Sequence, residues 1–119
     1  MNDYPKSIKR LLREFAAEAY EKELSRELAR LEESFAEWRD EKINSGELSN
    51  RIHQYETGAS RELFKKYNEG KNDFNVAYAI VTGILDQEDI PEELIEAIAK
   101  HMRFYESLKA DGELRMPGE

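Results

Sequence analysis

The chain has no cysteine. That removes disulfides, thiol catalysis and thiolate metal sites together, and it fits a reducing compartment, so a cytoplasmic location is the expectation. Long hydrophobic runs are missing too. The longest uncharged stretch, Phe74 to Leu85, is too short to span a bilayer, and the charged segment from Lys6 to Glu14 has no apolar signal-peptide core. The sequence therefore reads as a soluble, non-secreted protein with no membrane partner. Glycine and proline are scarce, 6 and 3 residues, and none falls between positions 6 and 43. Nothing in that stretch obliges a helix to stop.

Residues 6–43 are rich in Glu, Lys, Arg, Ala and Leu. As a helix rising about 1.5 Å per residue they would reach about 57 Å, longer than a compact domain of this size is wide. Something must cover the excess, either the rest of the chain or a second copy. The whole sequence is 119 residues, 39% apolar and 37% charged with a net charge of -8. Because its apolar residues are periodic, it reads as one folded domain rather than a disordered acidic chain. In the first helix the apolar positions are Ile8, Leu12, Phe15, Ala19 and Tyr20, then Leu24, Leu28, Leu31, Phe35 and Trp38. From Leu24 onward the spacing is that of a heptad seam, and the two four-residue steps from Tyr20 to Leu28 form a stutter that turns the apolar face. The two halves are expected to meet different partners.

Asn44-Ser45-Gly46-Glu47 supplies a capping residue and a glutamate three positions later, so a second helix is predicted over 45–68. Leu48, Ile52, Tyr55, Ala59, Leu63 and Tyr67 keep one face, with a weak point at Thr57-Gly58. The short turn makes helices one and two an antiparallel hairpin with Trp38 buried near its closed end. Helix two spans only about 37 Å, which leaves the first dozen or so residues of helix one for helix three or a second subunit to cover. Asn72 or Asp73 is placed to cap a third helix over 74–85, apolar on nearly all sides, in which Gly83 either admits a close neighbour or frays the end. Pro91 suits the first turn of a fourth helix over 91–109, carrying Leu94, Ile95, Ile98, Met102, Tyr105 and Leu108 on one face. Residues 112–119 are expected to form a mobile tail. The predicted fold is a single all-α domain: a long antiparallel hairpin with two shorter helices packed on it.

Chemistry is harder to find. The pairs Glu18-x-x-Glu21 and Glu37-x-x-Asp40 have the form in which carboxylates bind Mg2+ and hold a phosphorylated substrate. In this the chain superficially resembles the all-α nucleotide pyrophosphohydrolases, whose carboxylate motifs come from neighbouring helices. Here both pairs fall on one predicted helix roughly 28 Å apart, so they share a metal only if a partner subunit brings carboxylates together. His53-x-x-Glu56 lies one turn apart on helix two, but a bundle metal site needs inward-facing acids where helix one offers Leu31 and Phe35. His101, with Tyr105 one turn away, reads as a partly buried packing or hydrogen-bonding histidine. No serine sits in a nucleophile motif, and Gly70-Lys71 lacks the other residues of a phosphate loop. No catalytic residue, cofactor or metal ligand is assigned.

Charge is more informative. Residues 1–13 hold Lys6, Lys9, Arg10 and Arg13 against Asp3 alone, yet four bases on an acidic chain make a weak electrostatic footprint for nucleic acid, which is not expected as a partner. Between Asp86 and Glu96 there are six acids and no base. Helix-end electrostatics explains Glu92 and Glu93, while Asp86, Glu88 and Asp89 would suit docking of a basic protein. The candidate interaction surface is therefore Ile8, Leu12 and Phe15 on the uncovered half of helix one, with Asp86, Glu88 and Asp89. The expected function is a non-catalytic helical interaction protein acting as a homodimer. The alternatives are an acidic antitoxin-type or immunity-type neutraliser of a basic partner and a small all-α enzyme with a carboxylate-bound divalent metal.

Overall fold

The computed structural model describes residues 3–119 and is all-α, with no strand among them. The long helix α1 runs from Lys6 to Arg39. After a tight turn come α2 (Ser45–Tyr55), a single π turn (Glu56–Ser60) and α3 (Arg61–Tyr67). Then follow α4 (Asn72–Val81), a 3-10 turn (Gln87–Asp89), α5 (Glu92–Ala97) and α6 (Ala99–Ala110). The molecule measures 53 × 31 × 25 Å, so α1 spans nearly its whole length. Its radius of gyration is 17.1 Å against about 13.5 Å for a compact domain of this length. The difference is a two-helix arm projecting from a globular end.

Helix α1 stops four residues short of the predicted 43. Glu41 adopts a left-handed conformation (φ 61°), its N–H bonds to the Trp38 carbonyl, and the Lys42 N–H bonds to the Glu37 carbonyl at 2.8 Å. That pair of bonds is a Schellman ending, built here on glutamate instead of glycine. Asn44 caps α2 as expected, its side-chain oxygen accepting from the Glu47 N–H at 2.8 Å. The predicted second helix is interrupted at its glycine: the backbone widens to the π turn around Gly58, and the Thr57 hydroxyl bonds back to the His53 carbonyl at 2.9 Å.

The third helix ends at Val81, and Gly83 takes a positive φ of 84°. A Cβ there would meet nothing within 4 Å, so this glycine serves the chain reversal and not a close helix contact. Asp73 lies inside the first turn of α4, accepting from its neighbour's N–H (Phe74, 2.8 Å) and from the Tyr4 hydroxyl at 3.1 Å. The predicted fourth helix bends at Ile98 (φ -110°, ψ 19°) into α5 and α6, with Leu94 fully buried one turn before the bend and Ile98 fully buried at it.

One core lies at the globular end. Ile8, Leu12, Ala16 and Ala19 of α1 meet Val76, Ala77, Ala79 and Ile80 of α4, and Leu85, Ile90, Leu94, Ile98 and Met102 close the cluster. Four alanines at this junction leave little side chain between the helices, which allows α1 and α4 to approach closely. Each large aliphatic buried here stabilises by about 1.5–3 kcal/mol. Ile8 and Leu12, predicted to be interaction residues on an uncovered half-helix, are thus core residues, and Phe15 packs partly buried against the same cluster. The short loops after α3 and α4 fold α4 and α5 back over this half of α1, so the cover comes from within the chain.

The arm is different. Between residues 24 and 63 only Ser34 and Leu48 are buried. Trp38, predicted to be buried, is 40% exposed, with its indole N–H donating to the Ser45 hydroxyl at 3.1 Å. Two helices alone can cover only one side of a seam. A polar knot reinforces the arm: Arg51 donates to Glu37 at 2.7 Å, to Glu47 at 3.2 Å and to the Ser34 hydroxyl at 3.2 Å.

Candidate functional site

The stripe Leu12, Ala16, Ala19 continues along α1 to Glu23, whose side chain is only 9% exposed. A carboxylate covered this well requires donors. It receives two, the Tyr67 hydroxyl at 2.5 Å and the Lys66 ammonium at 3.1 Å, both from the end of α3. The Tyr67 ring stacks on Tyr20 with centroids 5.1 Å apart, and the Lys66 ammonium sits 3.9 Å from the centre of the Tyr78 ring, a cation–π contact. Asn75, buried at the start of α4, donates to the Lys66 carbonyl at 3.0 Å and fixes the junction of α3 with α4. Burial pushes the Tyr67 hydroxyl well above its ordinary range, helped by its bond to Glu23, and raises Tyr78 to about 12 for the same first reason, with the Glu23 charge adding to it. Burial likewise lowers Lys66, and the Glu23 carboxylate opposes that.

This polar knot forms one wall of a cleft of about 570 Å3 between α1, the π turn, α3, α4 and α6. Tyr78 and Tyr105 give it an aromatic side, their rings edge to face at 5.6 Å. The remaining wall is the segment from Leu114 to Glu119, expected from sequence to be a mobile tail. The Tyr78 hydroxyl donates to the Arg115 carbonyl at 2.7 Å, and the Arg26 guanidinium donates to the Pro117 carbonyl. The Glu119 N–H returns to the Met116 carbonyl at 3.2 Å across Pro117-Gly118, with Gly118 at φ 83°. Proline followed by a glycine of positive φ is the pattern of a type II turn.

A second polar cluster joins the segment before α1 to α4 and α6. Asp73 accepts from Tyr4, and His101 Nε2 lies 3.5 Å from the same carboxylate oxygen. The Phe74 ring and the imidazole pack edge to face with centroids 4.3 Å apart. His101 Nδ1 is buried with no hydrogen-bond partner among the described residues. Its predicted packing role agrees with a side chain only 14% exposed.

The other sequence-derived candidates are scattered. Asp86, Glu88 and Asp89 lie together, exposed, on the 3-10 turn, where the Asp86 carboxylate caps the Glu88 N–H at 3.0 Å. Glu18, Glu21, His53 and Glu56 are exposed, and Glu37 is held by Arg51. Among the described residues no three of His, Asp and Glu converge to hold a metal, and no helix is long and apolar enough to cross a membrane. The cleft was missed in the sequence, although two signals point to it: a glutamate at the next step of a buried stripe, and Pro117-Gly118 in a segment otherwise taken as tail. Comparison of the chain with family models, with curated proteins and with solved structures gave no match.

Proposed function

We propose that this chain is a non-catalytic helical interaction protein that pairs with a second copy through its two-helix arm. The observation that carries this reading is the state of the arm's apolar seam. Leu28 is 45% exposed and Ile52 36% exposed, while the neighbouring Glu27 side chain is only 18% exposed. A leucine more open to water than the glutamate beside it is the reverse of what a solitary two-helix hairpin would favour, and a second hairpin laid against the seam would bury Leu28 and Ile52 in a four-helix arrangement. Gel filtration with light scattering tests this. At micromolar concentration the expected mass is twice the 13.9 kDa of one chain, and a variant carrying both Leu28→Glu and Ile52→Glu is expected to keep its helical content but elute as a monomer. A native chain that is monomeric at that concentration would end the reading.

A second reading, neutralisation of a basic protein, is favoured by the connector between α4 and α6. Asp86, Glu88, Asp89, Glu92, Glu93 and Glu96 are all exposed, and none is ion-paired among the described residues. Such a field accelerates encounter with a basic partner and is screened by salt. If a basic protein is encoded by a neighbouring gene, its association rate should fall steeply as salt rises; a rate insensitive to salt would remove the acidic patch from the account.

A further inference from the structure

The way the cleft holds residues 114–119 has a chemical logic of its own. Among the described residues, every hydrogen bond from the body of the protein to this segment ends on a main-chain carbonyl: Tyr78 to Arg115, and Arg26 to Pro117. The segment's own charged side chains are engaged within it. The Arg115 guanidinium donates to the Glu119 carbonyl, and the Glu119 carboxylate accepts from the Met116 N–H at 3.0 Å. Leu114, Met116 and Pro117 are half-buried. The cleft therefore reads backbone shape and a few apolar contacts, through donors aimed at carbonyls, which is recognition of a peptide's main chain. Backbone conformation selects the turn. Gly118 takes a φ of 83°, which strains any residue with a Cβ, and a Cβ there would also displace the flexible end of the Arg26 side chain.

We infer that the cleft bounded by Arg26, Lys66, Tyr78 and Tyr105 is a peptide-binding site, covered in this chain by its own proline-glycine turn, and that its external ligand is a proline-glycine turn of a partner protein. The covering segment is a weak occupant in one respect: Arg115 lies close enough to Lys66 for its positive charge to help depress the lysine, a like-charge approach that an incoming segment need not repeat. Because the cover is tethered, it competes at a high effective concentration, and external peptide binds appreciably only when the cover is released.

The test uses the full-length chain carrying Gly118→Ala, which strains the positive-φ position of the turn and should release it while leaving Lys66, Tyr78 and Tyr105 unaltered. Tryptic cleavage after Arg115 should then be several-fold faster than in the native chain. A fluorescently labelled peptide with the sequence of residues 114–119 should bind this variant at least tenfold more tightly than it binds the native chain, by fluorescence anisotropy. The same peptide with alanine in place of its glycine should bind at least tenfold more weakly. The inference is overturned if the cleavage rate is unchanged, if the probe ignores the variant, or if it binds both chains equally. It is also overturned if Gly118→Ala converts a dimer into a monomer, since the segment would then belong to a second copy.

Discussion

Trp38→Ala is expected to cost about 1 kcal/mol or less, the loss of one partly exposed contact and its hydrogen bond to Ser45. Leu94→Ala, at a fully buried position, should cost ~2–5 kcal/mol, and urea denaturation of the two variants in parallel would show the contrast. Glu41 offers a gain: glycine there removes the left-handed penalty on a residue at φ 61° and should stabilise by about 0.5–1 kcal/mol after the added flexibility of the unfolded chain is counted. Failure of Glu41→Gly to raise the urea midpoint would mean that the turn is not strained. The tyrosines set an alkaline limit. Tyr4 and Tyr78 are raised from 10.0 to about 12 by burial first, with the carboxylates of Asp73 and Glu23 adding to it. A raised pKa means that the folded form holds its proton longer, so this stability is fully present below pH 10 and drains away as pH rises towards 12. Tyrosinate absorbance should therefore appear together with loss of helical signal, and titration of these hydroxyls well before unfolding would contradict their burial. Residues such as Glu23 were legible in principle, because helical periodicity carries the stripe Leu12, Ala16, Ala19 onto that position. Its donors were not, since Lys66 and Tyr67 lie more than 40 residues away in the chain.

At the scale of elements, the breaks matter as much as the helices. The α1–α4 contact depends on small residues, so Ala77→Leu, at a position with no exposure, should destabilise by ~1–3 kcal/mol through overpacking; a neutral result would show slack between the helices. The π turn behaves oppositely. Around Gly58 a Cβ would meet nothing within 4 Å, and Gly58→Ala is expected to raise stability by about 0.5–1 kcal/mol. A lower thermal midpoint in that variant would mean that the turn needs glycine's freedom. Helix positions and the Asn44 cap were readable because side-chain periodicity and capping are local. The ending at Glu41, the widening at Glu56–Ser60 and the bend at Ile98 were not readable in detail, because each is a local departure stabilised by contacts made elsewhere in the fold.

As a whole molecule, the protein joins a well-packed globular end to an arm with almost no interior. Amide exchange should divide accordingly: slow in α4 and in α1 from Ile8 to Ala19, and faster by orders of magnitude from Leu24 to Leu63, where few buried side chains oppose local opening. If the arm pairs with a second copy, its exchange should slow as protein concentration rises; uniform protection along α1 at all concentrations would contradict both the division and the pairing.

The sequence by itself determined that the chain is all-α, where most helices begin, and that the two halves of α1 meet different partners. Those outcomes follow from spacing and capping within a few residues. Only the tertiary structure decided which half becomes the core. A periodic apolar stripe states that it must be covered, but what covers it depends on loop lengths and helix breaks that bring distant segments together. The N-terminal half, with Ile8 and Leu12, was covered by α4 and α5 of the same chain, while the heptad half received a single partner helix and kept one side open.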